Sequence, residues 1–207
     1  MQAIIAGATG LVGTELLRAV RGPYDVVTAL VRKRAGIAGE RVVDFERLSE
    51  LEIPAGAHVF CALGSTIKKA GSQEAFRRVD FEYPKMLAQR TAAARGKFVL
   101  VSSVGADAKS NNFYLRVKGE LEEAVRKMPL EACHIFRPSF LMGERKEKRS
   151  GEAFGIAAAK ALGFLLPSKY RAIEAAEVAR AMVAAAQQDA AGCFVYHYRE
   201  IRKLGGC

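Results

Sequence analysis

Tyr114 and Lys118 stand four residues apart, in a segment whose apolar positions Tyr114, Val117, Leu121, Ala124, Val125 and Met128 follow a helical period. On a helix that spacing puts both side chains on one face, about one turn apart. An ammonium beside a phenol stabilises the phenolate and lowers the tyrosine pKa toward neutrality, as general acid and base chemistry requires. Asn111-Asn112 offers an N-cap before this helix and Pro129 a stop after it. Tyr-x-x-x-Lys alone is common, and a half-buried tyrosine beside a surface lysine explains most instances. Its weight here comes from the surroundings: Lys97 to Val101 reads as a strand that delivers the hydroxyl pair Ser102-Ser103 to one edge of a sheet.

Something must hold those groups against a ligand, and the start of the chain offers it. Ala3-Ile4-Ile5-Ala6 reads as a buried strand, Gly7-Ala8-Thr9-Gly10-Leu11-Val12-Gly13 as a tight turn, and Leu11 to Val20 as a helix. In such a turn the first glycine permits the bend, the second admits a pyrophosphate to the backbone, and the third lets helix and strand lie close. The helix amides and dipole then attract phosphate. The next strand, Asp25 to Val31, runs into Arg32-Lys33-Arg34, with no acid until Glu40. A site for unphosphorylated dinucleotide places an acid there for the ribose, whereas a 2′-phosphate calls for positive charge, so NADP(H) is expected in preference to NAD(H).

The remaining segments alternate strand and helix. Arg41 to Phe45 reads as a short strand, and Ala57 to Gly64 as another, ending in a glycine where backbone passes near a ligand. His58, early in that strand, has no metal-ligand neighbour and is read as structural. Ser65 to Gly71 is a loop, Ser72 to Ala94 a helix interrupted near Asp80 and Pro84, and Cys193 to Tyr198 the final strand. Such alternation implies right-handed crossovers, a doubly wound and mostly parallel sheet with helices on both faces, and ligands at the carboxyl ends of the strands. Gly143 to Gly151 is a charged loop, Phe154 to Leu166 an apolar helix placed over the crevice, and Ala175 to Gln187 an amphipathic helix. The chain is therefore expected to be one domain over 1–207, with 138–190 contributing a small C-terminal cover on the substrate side.

The 207 residues, half of them hydrophobic, are enough for a substantial core. A net charge of +10 reads as a solvated basic surface. No helix carries a basic stripe interleaved with aromatics, so no nucleic-acid partner is expected. Cys61, Cys133, Cys193 and Cys207 are scattered without a C-x-x-C pair, which argues against a metal, and Cys61 and Cys133, inside apolar runs, read as buried reduced thiols in a cytoplasmic protein. The first strand begins almost at Met1, so this end reads as fold rather than leader. No apolar run approaches the roughly 18 residues of a membrane helix, and a soluble monomer or homodimer is expected.

Gly7-x-x-Gly10-x-x-Gly13, Ser102-Ser103, Tyr114-x-x-x-Lys118 and Phe136-Arg137-Pro138 together resemble the short-chain dehydrogenase/reductases. Cys61 to Thr66, Arg78-Val79-Asp80, Ser102 to Asp107 and Tyr114 to Glu120 resemble more specifically the atypical branch of Tat-interacting-protein-like oxidoreductases. The resemblance implies a Rossmann-like, NAD(P)-binding α/β fold and an NADPH-dependent reductase acting on a small carbonyl substrate. It implies that Gly7, Thr9, Gly10, Leu11, Val12 and Gly13 form the pyrophosphate turn, with Arg32 and Lys33 on the 2′-phosphate. Leu63 and Gly64 would line the adenosine side. Tyr114 would donate and accept the proton, Lys118 would bind the nicotinamide ribose and tune Tyr114, and Arg137 would lie nearby. Ser103 is the hydroxyl expected to orient a carbonyl, with Ser102 close behind. A second reading, from another functional class, is a nucleotide-sensing regulator that binds NADPH and then a protein partner, without turnover.

Overall fold

Past Gln2, the first strand (β1, Gln2–Ala6) is buried at every residue, and so are β4 (His58–Cys61) and β6 (Ala132–Phe136). Strands covered on both faces suit a parallel sheet, in which every connection must cross over and lay a helix on one side or the other. The computed structural model describes residues 1–143 and 170–206 and shows this arrangement. Seven strands, adding β2 (Val26–Val31), β3 (Glu40–Val42), β5 (Lys97–Val101) and the late β-strand Gly192–Tyr196, run in the order β3-β2-β1-β4-β5-β6 and then that last strand. All six pairings are parallel. The sheet is thus the doubly wound, Rossmann-like sheet read from the sequence.

Alternate residues of each strand feed opposite layers, as the two-residue period demands. Ile5, Phe60 and Phe136 point to the side of α1 (Leu11–Ala19), whereas Ile4, Val59 and Ile135 point to the side of α4 (Tyr83–Ala93) and α5 (Phe113–Arg126). Each fully buried side chain of that size contributes about 1.5–3 kcal/mol.

The structure departs from the sequence reading in four places. Ala175–Ala186, here α6, lies against α1 and the sheet with Val178, Ala179 and Met182 at 0 % exposure, so this part of the expected cover is a core layer. Helix α7 (Tyr198–Leu204), after the last strand, was not anticipated; it buries Ile201, and Gly205 beyond it accepts from Arg180 of α6. The short β7 (Leu141–Met142) and β8 (Ile173–Glu174) pair with each other, which makes Gly192–Tyr196 β9. Finally, β3 ends at Val42 rather than Phe45, because Asp44 caps a 3₁₀ turn over Phe45–Glu50 by accepting from the Glu46 amide. The expected charged loop and the helix Phe154 to Leu166 lie outside the described residues, as does Cys207.

At the amino edge of the sheet His58 meets the Tyr24 hydroxyl at 2.7 Å, and at mid-strand in β6 His134 meets the Tyr196 hydroxyl at 2.9 Å. Burial, with Lys97 adding to it, lowers both imidazoles to about 4. Lys97, 7 % exposed, donates to the carbonyls of Ala186 and Gln188 and so closes the carboxyl end of α6.

Candidate functional site

From β1 the chain moves outward through β2 and β3; from β4 it moves the other way. The switch point therefore lies between β1 and β4, where a crevice opens outside the strand ends. Gly7 and the Ala62-Leu63-Gly64 exit of β4 meet there. Gly7 has φ +86°, and a Cβ on it would sit 2.5 Å from the Ala62 carbonyl oxygen. A Cβ on Gly13 would sit 2.0 Å from the Gly7 carbonyl oxygen, so α1 is pressed onto the turn as closely as backbone allows. Overpacking of that kind costs about 1–3 kcal/mol or more.

Helix α1 begins at Gly10 with no capping side chain and no acid in its first turn, and Thr9 and Gly10 are exposed. By contrast α2 (Ile67–Ala70), α3 (Gln73–Arg77) and α5 are capped by Thr66, Ser72 and Asn112. The first amides of α1 are left pointing at the crevice with a positive dipole end behind them, which is the chemistry of an anion site.

Lys118, on the buried face of α5, is 4 % exposed, and its ammonium lies 2.8 Å from Oδ1 of Asp80, which is fully buried. Burial works against the lysine charge, yet Asp80, with Tyr114 and Cys61 adding to it, outweighs burial and holds the ammonium above the ordinary lysine range. Asp80 Oδ2 accepts from the Ser65 amide at 2.8 Å, and a Cβ on Gly64 would lie 3.5 Å from Asp80 and 3.8 Å from Lys118 Nζ. The pair thus forms a wall of the crevice where the chain leaves β4.

Asp80 reaches Lys118 because of a π turn, Arg78–Glu82, inserted between α3 and α4, where the Tyr83 amide bonds back to the Arg78 carbonyl. Pro84 supplies a reason: it has no amide to offer the Asp80 carbonyl, and its ring would crowd that carbonyl in a regular helix. The sequence marks this place as an interruption without indicating that the acid is a partner of Lys118, 38 residues later.

Tyr114 is half-buried with its ring 5.7 Å from that of Phe76, and among the described residues its hydroxyl has no hydrogen-bond partner. Ser103 is half-buried and donates only to the neighbouring Val104 carbonyl, at 3.3 Å. The short connection between the two is held by Gly119, where a Cβ would come within 2.1 Å of the Ala108 nitrogen.

Two expected site residues are engaged elsewhere. Ser102 is buried and donates to Glu122 Oε1 at 2.5 Å, and Arg137 grips Glu122 through Nε at 2.9 Å and NH2 at 2.6 Å. Glu122, 2 % exposed, therefore ties the exits of β5 and β6 to α5, and it holds Ser102 and the Arg137 guanidinium in one network. Sequence reading missed Glu122, since an acid beside Glu123 on an amphipathic helix looks like surface. Arg32 and Lys33 are exposed beyond β2. Glu40 turns back to accept from the Ala35 and Ile37 amides at 2.8 and 3.1 Å, and these amides hold its carboxyl below the ordinary range.

A doubly wound parallel sheet with a glycine turn at its switch point, and a Tyr-x-x-x-Lys helix along the crevice, is the architecture of a short-chain dehydrogenase/reductase. The chain is 38 % identical over 160 residues to Protein HTATIP2 of Rattus norvegicus, which covers 72 % of this chain and 66 % of that protein, just under two thirds of its length. It is 31 % identical over 216 residues to Protein FMP52, mitochondrial, of Lodderomyces elongisporus, covering 92 % of this chain and 89 % of that one. No family model matches. Among solved structures, a short-chain dehydrogenase/reductase superfamily protein from Agrobacterium tumefaciens with bound NAD superposes with a TM-score of 0.71 at 18 % identity, over 95 % of this chain and 77 % of that one. Human epimerase family protein SDR39U1 with NADPH gives 0.67 at 17 %, over 95 % and 74 %. The chain belongs to the atypical short-chain dehydrogenase/reductases, in the Tat-interacting-protein-like branch that its identity to HTATIP2 and FMP52 marks.

One expectation is overturned. Several fungal relatives are named mitochondrial, which points away from a purely cytoplasmic protein. Among the described residues no helix is long and apolar enough to cross a membrane.

Proposed function

We propose that this chain binds NADP(H) across the switch point and reduces a small carbonyl substrate. The observation that carries the reading is the Lys118 ammonium, buried and oriented by Asp80 beside Gly64 at the mouth of the crevice. A lysine taken out of water at that depth needs a reason, and an ammonium with one carboxylate partner keeps N–H donors free for ribose hydroxyls.

The residues fit the group. Gly7, Thr9, Gly10, Leu11, Val12 and Gly13 would hold the pyrophosphate on the uncapped start of α1, with Leu63 and Gly64 opposite them. Arg32 and Lys33 would take the 2′-phosphate. Their preference over a bare ribose is supported by Glu40, the nearest following acid, whose carboxylate is occupied by loop amides. The bound coenzyme supplies the hydride. Tyr114 gives its proton to the carbonyl oxygen as charge develops there, Ser103 hydrogen-bonds the same oxygen, and Lys118 steadies the phenolate that Tyr114 becomes. Ser102 and Arg137 support this constellation from behind, through Glu122.

The similarity to HTATIP2 leaves open a second reading, NADP(H) binding without turnover by a protein that acts through a partner. Fluorescence titration with NADPH and NADH, then a carbonyl panel followed at the nicotinamide absorbance, tests the first reading and separates the two. Tyr114→Phe is expected to leave NADPH affinity nearly unchanged and to lower turnover by about 10²–10⁴-fold. Equal loss of both would remove the role given to Tyr114, and coenzyme binding without turnover on any carbonyl would leave the second reading.

A further inference from the structure

Cys133 and Cys193 are sixty residues apart in sequence and directly opposite each other in the sheet, as register partners on β6 and β9. Partners on adjacent parallel strands project to the same face, with strands about 4.8 Å apart. A disulfide accepts Cα separations of roughly 4.4–6.8 Å, so a bridge between these two needs no rearrangement of the fold. The two thiols differ sharply in setting. Cys133 is 3 % exposed and packed among Ile135, Leu121 and Val125, whereas Cys193, on the last strand of the sheet, is exposed. Both sulfurs are free.

The electrostatics of the pair are directional. The Cys133 S–H beside it lowers the Cys193 pKa, partial burial opposes this, the Arg126 guanidinium at the end of α5 assists, and the Glu122 carboxylate, the weakest of the four, opposes. Cys133 moves the other way, raised first by its hydrogen bond to Cys193 and then by burial. An accessible thiolate backed by a second thiol and a cation is the setting of a reactive cysteine with a resolving partner.

We propose that Cys193 and Cys133 form a peroxide-oxidisable dithiol, with Cys193 the attacking sulfur and Cys133 the resolving one. The Cys193 thiolate attacks one peroxide oxygen; an S–O bond forms, the O–O bond breaks, and hydroxide leaves to become water. The Cys133 sulfur then attacks the resulting sulfenic sulfur; an S–S bond forms, the S–O bond breaks, and the departing hydroxide takes the Cys133 proton as a second water. Two thiols lose two electrons and two protons, and hydrogen peroxide is reduced to two waters. The bridge joins the outermost strand to its neighbour on the face opposite α6, away from the Lys118 crevice, and the proposal does not depend on the reductase reading.

The test is peptide mapping without reduction of the full chain after hydrogen peroxide, with free thiols counted before and after. The expected result is loss of two thiols per chain, a single intrachain Cys133–Cys193 cross-link, and its reversal by dithiothreitol. Cys193→Ser, at an exposed position, is expected to abolish the cross-link and leave Cys133 unmodified. Cys133→Ala is expected to stop the reaction at a dimedone-reactive sulfenic acid on Cys193, and Arg126→Ala to slow iodoacetamide labelling of Cys193. Four outcomes overturn the proposal: no thiol loss with the fold intact by circular dichroism, oxidation of Cys193 without an intrachain bridge, a bridge through Cys207, or one between two chains. If Cys133→Ala fails to fold, the wild-type map and Cys193→Ser decide alone.

Discussion

Lys97 and Lys118 are both more than nine-tenths buried, at opposite edges of one sheet. Lys97, at the amino edge, gives its protons to two carbonyls at the end of α6 and has Glu131 3.7 Å away. Lys118, at the carboxyl edge, has one close carboxylate and a tyrosine whose own hydroxyl is unbonded. The first lysine closes an end of the structure. The second sits on groups with hydrogen-bonding capacity left over, and leftover capacity in a buried place is where ligand chemistry is sought.

Removing the Asp80 carboxylate breaks this contrast most severely. Asp80→Ala leaves a buried ammonium unpaired and is expected to cost about 3–5 kcal/mol in urea unfolding. Asp80→Asn keeps the shape and is expected to weaken NADPH binding more than it weakens the fold. If Asp80→Ala left stability unchanged, the ion pair would have no part in holding the crevice.

Acid probes the buried histidines on the Lys97 side. His58 and His134 are held near pKa 4 in the folded chain against 6.5 for the free side chain, so the folded chain binds fewer protons between those values. Their contribution is complete above about pH 6.5 and is lost as pH falls toward 4; at pH 5 the loss is about 2 kcal/mol per histidine. Melting curves from pH 7 to 5 check it, and His134→Phe should flatten the slope. Lys97→Met is expected to cost about 1–2 kcal/mol through the lost bonds to Ala186 and Gln188. It should also raise both histidine pKa values toward that of the free side chain, which shrinks the stability lost in acid and flattens the slope, while leaving NADPH affinity unchanged. The smallest effect expected is at the basic loop: Arg32→Ser should weaken NADPH by about tenfold, or 1.4 kcal/mol, and leave NADH alone.

These two edges were unequally legible. The glycine turn, the buried strands and their alternation with helices follow from local signals, because apolar runs and helical periods are properties of contiguous residues. Asp80 and Glu122 were invisible as partners for the opposite reason. An acid inside an amphipathic segment looks solvated until the fold brings a lysine or arginine from another element to it. Ser102 and Ser103 show the same limit: neighbours on a strand end face opposite ways, and only Glu122, twenty residues on, decides which hydroxyl is occupied. The short helix Tyr198–Leu204 offers too few turns for its period to stand out.

The widened turn at Arg78–Glu82 means that one helix of this protein is a residue longer than its path requires. Each residue of an α-helix advances the side chains by about 100°. Deleting one residue of the turn would let the backbone run as a regular helix and rotate the Asp80 carboxylate by about 100°, away from its ammonium. The turn gives up helical regularity for the placement of one negative charge.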